Sequence, residues 1–146
     1  MEDKAYSSIS TEDKLYFEFE SVSDSKRIRK AIEYIKIRQY PSIYSLSMGD
    51  IKEDGSIDLY VVSNNNDTQR VFFTIFQTML VFFDEYPDSK ILFYGSTPNR
   101  TRLYQIQISK FLSEVEHFFQ IWGIVDGIQE RFVKNKNYQA FLIGLE

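Results

Sequence analysis

Alternating apolar and polar positions predict strands in the first part of the chain. In "KLYFEFESV", Leu15, Phe17 and Phe19 fall on one face and the residues between them on the other, which is typical of a half-buried strand. The next stretch, "KRIRKAIEYIKIR", has apolar residues at a helical spacing, but its isoleucines and tyrosine also suit a strand. We favour a strand there.

Two further strands are predicted around a tight turn. "SIYSLSMGDI" reads as the third strand and "IDLYVVS" as the fourth. Asp54 and Gly55 lie between them, and Asp-Gly is a strong hairpin signal because both turn positions tolerate positive φ. The third and fourth strands should therefore be antiparallel.

The pattern then changes to helical. Residues from about Thr68 to Tyr86 are apolar on nearly all sides, which predicts a buried helix with Asp67 as its N-cap and Pro87 as its stop. "KILFY" predicts a short interior strand, and a second helix runs from the segment after it to about Phe119. "GIVDGIQERF" is interpreted as a turn-rich connection and "NYQAFLIGL" as a final strand.

These elements predict an α+β fold. A four-stranded antiparallel meander is followed by helix, strand, helix and one or two closing strands, with the helices packed on one mixed sheet. Residues 1–11 are predicted to form a flexible tail and residues 12–146 a single domain.

Composition narrows the functional classes. The 146 residues carry a formal net charge of -4, no Cys and one His, which excludes disulfides, thiolate nucleophiles and sites that need two histidines. The N-terminal residues are polar and no apolar run reaches about 20 residues, so we expect a cytoplasmic protein without a membrane partner. No cofactor is predicted, and an enzyme is disfavoured without being excluded.

The segment "YGSTPNRTRLY" raises the main functional question. Ser96 or Thr97 can cap the second helix, and Pro98 suits its first turn. The cap does not explain Arg100 and Arg102, because cations are unfavourable at the positive end of a helix. Backbone N–H groups, hydroxyls and guanidinium groups together suit an anion such as phosphate or carboxylate.

A purely structural role for the arginines stays open. They could pair with Asp50, Asp58 or Asp67 of the same chain. We weigh this alternative and the anion site equally.

A second candidate cluster lies in "VVSNNND". If the fourth and fifth strands were parallel neighbours, Ser63, Asn64 and Asn65 would face Thr97 and Arg100 at the carboxyl ends of strands, where ligands gather. An Asn-rich turn explains the same residues more simply.

The remaining clusters are basic or acidic. In "KNKNYQAF", Lys134 and Tyr138 could contact single-stranded nucleic acid, although a solvated loop is the favoured interpretation. The run "KRIRK" is likewise interpreted first as a solvated hairpin. Asp50 and Asp58 flank the hairpin turn and could hold a metal ion, but turn chemistry accounts for them.

The motifs together resemble a family of small bacterial proteins of unknown function. The similar segments are "YFEFESV", "YSLSMGD", "GSIDLYVVSNNND", "YPDSKILFYGSTPNRTRLYQ" and "KNKNYQAF", from about Tyr16 to Phe141. The resemblance implies one domain and a strand at the second segment. It implies no activity.

The first hypothesis is a binding module for a phosphate-bearing ligand, either a nucleotide or a nucleic-acid backbone. Its residues would be Ser63, Asn64, Asn65, Ser96, Thr97, Arg100, Arg102, Lys134 and Tyr138. The alternative is a protein-interaction component of a small bacterial regulatory or toxin–antitoxin pair, with a small protein or a second copy of the chain as partner. A metal-dependent phosphodiesterase or nuclease using Asp50, Asp58 or Asp67 comes third.

Overall fold

The computed structural model describes residues 4–59 and 65–145. Within them the chain forms nine strands and three helices. The strands are β1 (Ser8–Ser10), β2 (Tyr16–Val22), β3 (Arg27–Arg38), β4 (Ile43–Ile51), β5 (Ile57–Asp58), β6 (Lys90–Phe93), β7 (Phe119–Val125), β8 (Ile128–Arg131) and β9 (Ala140–Leu145). The helices are α1 (Thr68–Glu85), α2 (Pro98–Lys110) and α3 (Leu112–Phe118).

The strands belong to one mixed sheet in the order β1-β2-β3-β4-β6-β9-β7-β8, with β5 paired to β4. Strands β1 to β4 form an antiparallel meander and the helices pack on the sheet, so the predicted α+β fold is confirmed. The chain divides into two compact units. Unit 1 comprises Met1–Tyr34 and Met48–Tyr86, and unit 2 comprises Ile35–Ser47 and Pro87–Glu146.

Unit 1 is built on the aromatic residues of β2, β3 and α1. Phe17 and Phe19 are buried on the apolar face of β2, as the alternation predicted. Tyr34 of β3 stacks on Phe82 of α1 at 4.6 Å between ring centroids. Its hydroxyl forms a 2.8 Å hydrogen bond with Thr78, so the buried phenol is satisfied.

Unit 2 is built around β6. This strand pairs parallel with β4 and antiparallel with β9, and β9 in turn pairs antiparallel with β7. Phe93 of β6 stacks on Tyr104 of α2 with 4.4 Å between ring centroids, which fixes α2 on one face of this part of the sheet.

The carboxyl-terminal part differs from the prediction. The second predicted helix is two helices that meet at Phe111, and Phe119 already belongs to β7. The segment interpreted as a turn-rich connection is the β7–β8 hairpin, so three strands close the fold. Asp126 (φ 51°) and Gly127 (φ 78°) make its two-residue turn, the same Asp-Gly signal that marks the β4–β5 hairpin.

Two other expectations change. The parallel neighbour of β6 is β4, the third predicted strand, and not the fourth. The fourth predicted strand is described only as β5, because residues 60–64 lie outside the described residues.

Ordered structure also begins inside the predicted tail. Ser8–Ser10 pairs with β2, and the buried Tyr6 donates its backbone N–H to Thr74 Oγ1 at 2.9 Å. Tyr6 also stacks on Phe19, which explains why this segment is held. The boundaries of the domain stay a prediction.

None of the helices in the described part of the chain is long and apolar enough to cross a membrane.

Candidate functional site

The start of α2 forms as the sequence predicted. Thr97 is the N-cap, with extended backbone, and its side chain accepts a hydrogen bond from the Arg100 N–H at 3.2 Å. Pro98 occupies the first helical turn, where its missing N–H costs nothing.

Gly95 is required by close packing at this turn. A Cβ built on Gly95 would lie 2.6 Å from Arg100 Cβ and 2.7 Å from Thr101 N. The Gly95 N–H donates to Thr101 Oγ1 at 2.9 Å. The strand end therefore lies directly against the first turn of α2, which places the hydroxyls of Ser96 and Thr97 beside Arg100.

The two arginines contact neutral oxygen atoms. Arg100 Nη1 donates to Ser96 Oγ at 3.2 Å, and the exposed Arg102 donates through Nη1 to Asn137 Oδ1 at 2.8 Å. No carboxylate among the described residues contacts Arg102. Pairing with an acid in residues 4–59 or 65–145 therefore does not explain Arg102.

The carboxylates proposed as partners have contacts of their own. Asp50 accepts a 2.6 Å hydrogen bond from Lys30 Nζ. Asp67 accepts hydrogen bonds from the hydroxyls of Tyr6, at 2.6 Å, and Ser21. Asp67 occupies the N-cap position of α1, but its side chain caps no N–H, because it is turned towards these two hydroxyls. The N-cap position predicted at Asp67 is therefore confirmed, although its side chain forms no capping hydrogen bond.

The loop of residues 133–138 lies against α2. Gln105 of α2 donates through Nε2 to the Lys136 carbonyl, and its Oε1 accepts from the Tyr138 N–H at 3.1 Å. Arg102 holds the same loop through Asn137. The structure thus brings together two basic segments about thirty residues apart. We call Arg100, Arg102, Lys134 and Lys136 the loop–helix cations.

Charge on this loop is only partly compensated. Lys134 is exposed, and Lys136 pairs with Glu130 of β8. The hydrogen bond with Glu130 raises the pKa of the Lys136 ammonium, so this group stays charged at neutral pH. Helix α2 has two arginines and a lysine and no acidic residue.

Tyr138 is buried, so it does not offer the stacking surface that the sequence suggested. A Cβ at Gly123 would lie 2.2 Å from its ring, and Phe132 packs beside it with 5.4 Å between centroids. Its hydroxyl accepts from the Val133 N–H at 3.1 Å. The exposed aromatic side chain of this region is Tyr94, which is 46% exposed.

Tyr94 borders a cleft of about 250 Å³ at the start of α2. The cleft is lined by Tyr94, Gly95, Ser96, Thr97, Pro98, Thr101, Tyr138 and Gln139. None of these side chains is acidic, so the cleft suits an anion better than a cation.

The Asn-rich cluster lies in unit 1. Ser63 and Asn64 are outside the described residues. Asn65 is buried, donates to Ser21 Oγ at 3.0 Å and accepts from Ser23 Oγ at 2.6 Å. It lines a second cleft of about 550 Å³, which also contains Asp24 and Asp67. The lining has two carboxylates and one cation, Arg70, so this cleft suits an anion less well than the cleft at the start of α2, which has no acidic side chain.

The other sequence candidates have structural partners. In the run "KRIRK", Arg27 pairs with Glu20 at 2.6 Å and Arg29 with Glu18 at 2.7 Å. No group of three or more potential metal ligands occurs in residues 4–59 and 65–145. A metal-dependent reaction at Asp50 or Asp67 gains no support from these contacts.

Sequence reasoning missed Gln105, Asn137 and Tyr94. A signal for Gln105 was present, because Thr101, Gln105 and Ile108 follow a helical spacing and all three are buried. A buried amide on such a stripe needs partners. The sequence does not predict that these partners are the Lys136 carbonyl and the Tyr138 N–H.

The fold and this surface define a small α+β protein with a cationic loop–helix surface. The chain belongs to the family described as a family of unknown function (DUF6934), whose model matches residues 2–146. Similarity to a family without an assigned activity is thus confirmed, whereas bacterial origin stays a prediction. No curated protein and no solved structure matches the chain.

Proposed function

We propose that this chain is a binding module for a phosphate-bearing ligand, either a nucleotide or the backbone of a single-stranded nucleic acid. One observation carries the proposal. The 2.8 Å hydrogen bond between Arg102 and Asn137 joins the basic start of α2 to the loop that carries Lys134 and Lys136. The loop–helix cations therefore lie on adjoining segments of an otherwise acidic chain.

The chemistry of this surface suits phosphate. Guanidinium groups can bind phosphate oxygens through two parallel hydrogen bonds, and lysine ammonium groups supply positive charge. The hydroxyls of Ser96 and Thr97 lie at the positive end of α2, where an anion is favoured. In the described part of the chain Arg102 contacts an amide and no carboxylate, which supports the proposal that its charge is available to a ligand.

The cleft supports a ligand that carries a base as well as a phosphate. The ring of Tyr94 is about half exposed beside the cleft. Stacking on an aromatic side chain contributes about 1–3 kcal/mol per base and tolerates any base. Tyr94 thus takes the stacking role that the sequence analysis gave to Tyr138.

A titration tests the proposal. A short fluorescent oligothymidylate is titrated with the protein at about 20 and 200 mM salt, with a mononucleotide and inorganic phosphate as competitors. With about three phosphate contacts, tenfold more salt should weaken binding of a single strand about 100-fold. Competition by a mononucleotide at low concentration would identify a nucleotide site, whereas displacement only by polymer would identify a backbone site. No binding of any probe at low salt contradicts the proposal.

Matched variants locate the surface. Arg102→Gln and Lys134→Gln should each weaken binding and reduce its salt dependence. Lys52→Gln removes the same charge from the exposed β4–β5 turn of unit 1 and should leave binding unchanged. Equal effects of all three variants would indicate a response to net charge and not a site at α2.

A further inference from the structure

Gln105 lies beneath the loop that carries Lys134 and Lys136. The residue is only 9% exposed, although glutamine is seldom buried. Both ends of its amide contact loop backbone. Nε2 donates to the Lys136 carbonyl, and Oε1 accepts from the Tyr138 N–H at 3.1 Å. One side chain of α2 thus satisfies a donor and an acceptor of the loop.

A hydrogen bond between its first and last residues closes the loop. The Tyr138 hydroxyl accepts from the Val133 N–H at 3.1 Å, and the Tyr138 ring lies on Gly123. Between these points Asn135 adopts a left-handed conformation with φ 67°. Residues 133–138 therefore form a closed turn, and Gln105 is the buried side chain that fixes its position on α2.

We propose that Gln105 is a positioning residue that sets where Lys134 and Lys136 stand relative to Arg100 and Arg102. The inference rests on the proposed function, because it assigns a role within that surface. Without the Gln105 amide, the Lys136 carbonyl and the Tyr138 N–H lose their partners, and the loop gains conformational freedom. A ligand would then have to order the loop on binding, which costs affinity.

The test compares Gln105→Met with Gln107→Met. Methionine keeps a similar length and removes both hydrogen bonds. Gln107 lies on the same helix, is partly buried, and its Oε1 accepts no hydrogen bond among the described residues, so it is a matched control. Gln105→Met should weaken oligothymidylate binding about tenfold, and Gln107→Met should leave it unchanged.

The salt dependence gives a readout that a loss of stability would not change. If Lys134 no longer contacts a phosphate, the slope of log affinity against log salt should become shallower by about 0.7, the value for one phosphate of a single strand. The change should be about 1.4 if Lys136 also leaves Glu130 to contact a phosphate in the native protein. Thermal melting is measured in parallel. If the methionine variant does not fold, Gln105→Asn replaces it, since the shorter amide cannot bridge both loop groups.

A mutant cycle shows whether Gln105 acts through the lysines. In a Lys134→Gln, Lys136→Gln background, Gln105→Met should cause no further loss of affinity. An equal loss in both backgrounds, or full affinity and slope for Gln105→Met, overturns this inference while leaving the proposed function standing. Absence of binding by the unmodified protein overturns the proposed function itself.

Discussion

The ion pair between Lys30 of β3 and Asp50 of β4 gives the sharpest prediction about stability. The two side chains meet at 2.6 Å and are only 8% and 15% exposed. Removing the carboxylate with Asp50→Ala takes away a close partner of a buried ammonium group. Loss of one member of a buried pair costs about 3–5 kcal/mol, because the remaining charge is poorly solvated.

The expected effect is readily measured. For a chain of this length a loss of about 3 kcal/mol lowers the melting temperature by about 10 °C. Urea unfolding followed by circular dichroism gives the free energy directly. The Arg27–Glu20 pair is the control, because its side chains are 72% and 43% exposed. Glu20→Ala should therefore cost less than about 1 kcal/mol.

A double variant separates burial of charge from loss of packing. Lys30→Met with Asp50→Leu removes both charges and should recover most of the stability lost in Asp50→Ala. If Asp50→Ala costs no more than Glu20→Ala, or if the double variant is less stable than the single one, the reasoning from burial is refuted. A melting temperature that rises on addition of divalent metal for the native protein but not for Asp50→Ala would instead indicate that Asp50 serves a metal site.

Three further predictions concern unit 2. Arg100→Ala should leave the melting temperature unchanged or slightly raised, because the Arg100 charge opposes the dipole of α2. Sulfate should stabilise this variant less than the native protein, whereas a clear loss of stability without sulfate would show that Arg100 stabilises the fold. Gly123→Ala should lower the free energy of unfolding by at least about 2 kcal/mol, since its Cβ would lie 2.2 Å from the Tyr138 ring. Gly144→Ala, whose Cβ would have its nearest neighbour at 3.4 Å, should cost much less, and equal losses in urea unfolding would refute the packing argument. Burial raises the pKa of Tyr104 from 10.0 to about 12, so the contribution of this phenol to stability is complete below pH 10 and is lost as the pH rises towards 12. The free energy of unfolding should therefore fall less steeply with pH in Tyr104→Phe than in the native protein, and equal slopes would contradict this prediction.

The elements that the sequence predicted correctly are those determined by local signals. The alternation in β2, the Asp54-Gly55 turn and the Thr97 cap each depend on residues a few positions apart. The interpretation was wrong where two local patterns compete. Phe118 and Phe119 continue the apolar spacing of the preceding helix, yet the chain enters β7 at Phe119 because this strand pairs with β9. Such pairing is non-local and overrides local propensity.

The candidate site divides in the same way. The cap and the arginines at the start of α2 could be predicted because they lie within one turn of a helix. Gln105 and Arg102 of α2 contact residues in the range 133–138, and Tyr138 closes that loop. Local sequence patterns do not predict the contacts of Gln105 and Arg102, because their partners are far away in the sequence. The burial of Tyr138 depends on Gly123, fifteen residues away in sequence, which leaves room for its ring.

The question posed by the two arginines at the start of α2 is best judged against the chain's other basic segment. On β3, Arg27 and Arg29 each face a glutamate of β2 at 2.6–2.7 Å, so the fold neutralises these guanidinium groups. Among the described residues, Arg102 donates a side-chain hydrogen bond only to the amide oxygen of Asn137. It lies at a helix end where positive charge is already unfavourable. A carboxylate at position 137 would offset the charge of Arg102, yet the sequence has an amide there. Local arrangements that are not optimal for stability concentrate at functional sites, which is why we propose an external anion as the partner of Arg102.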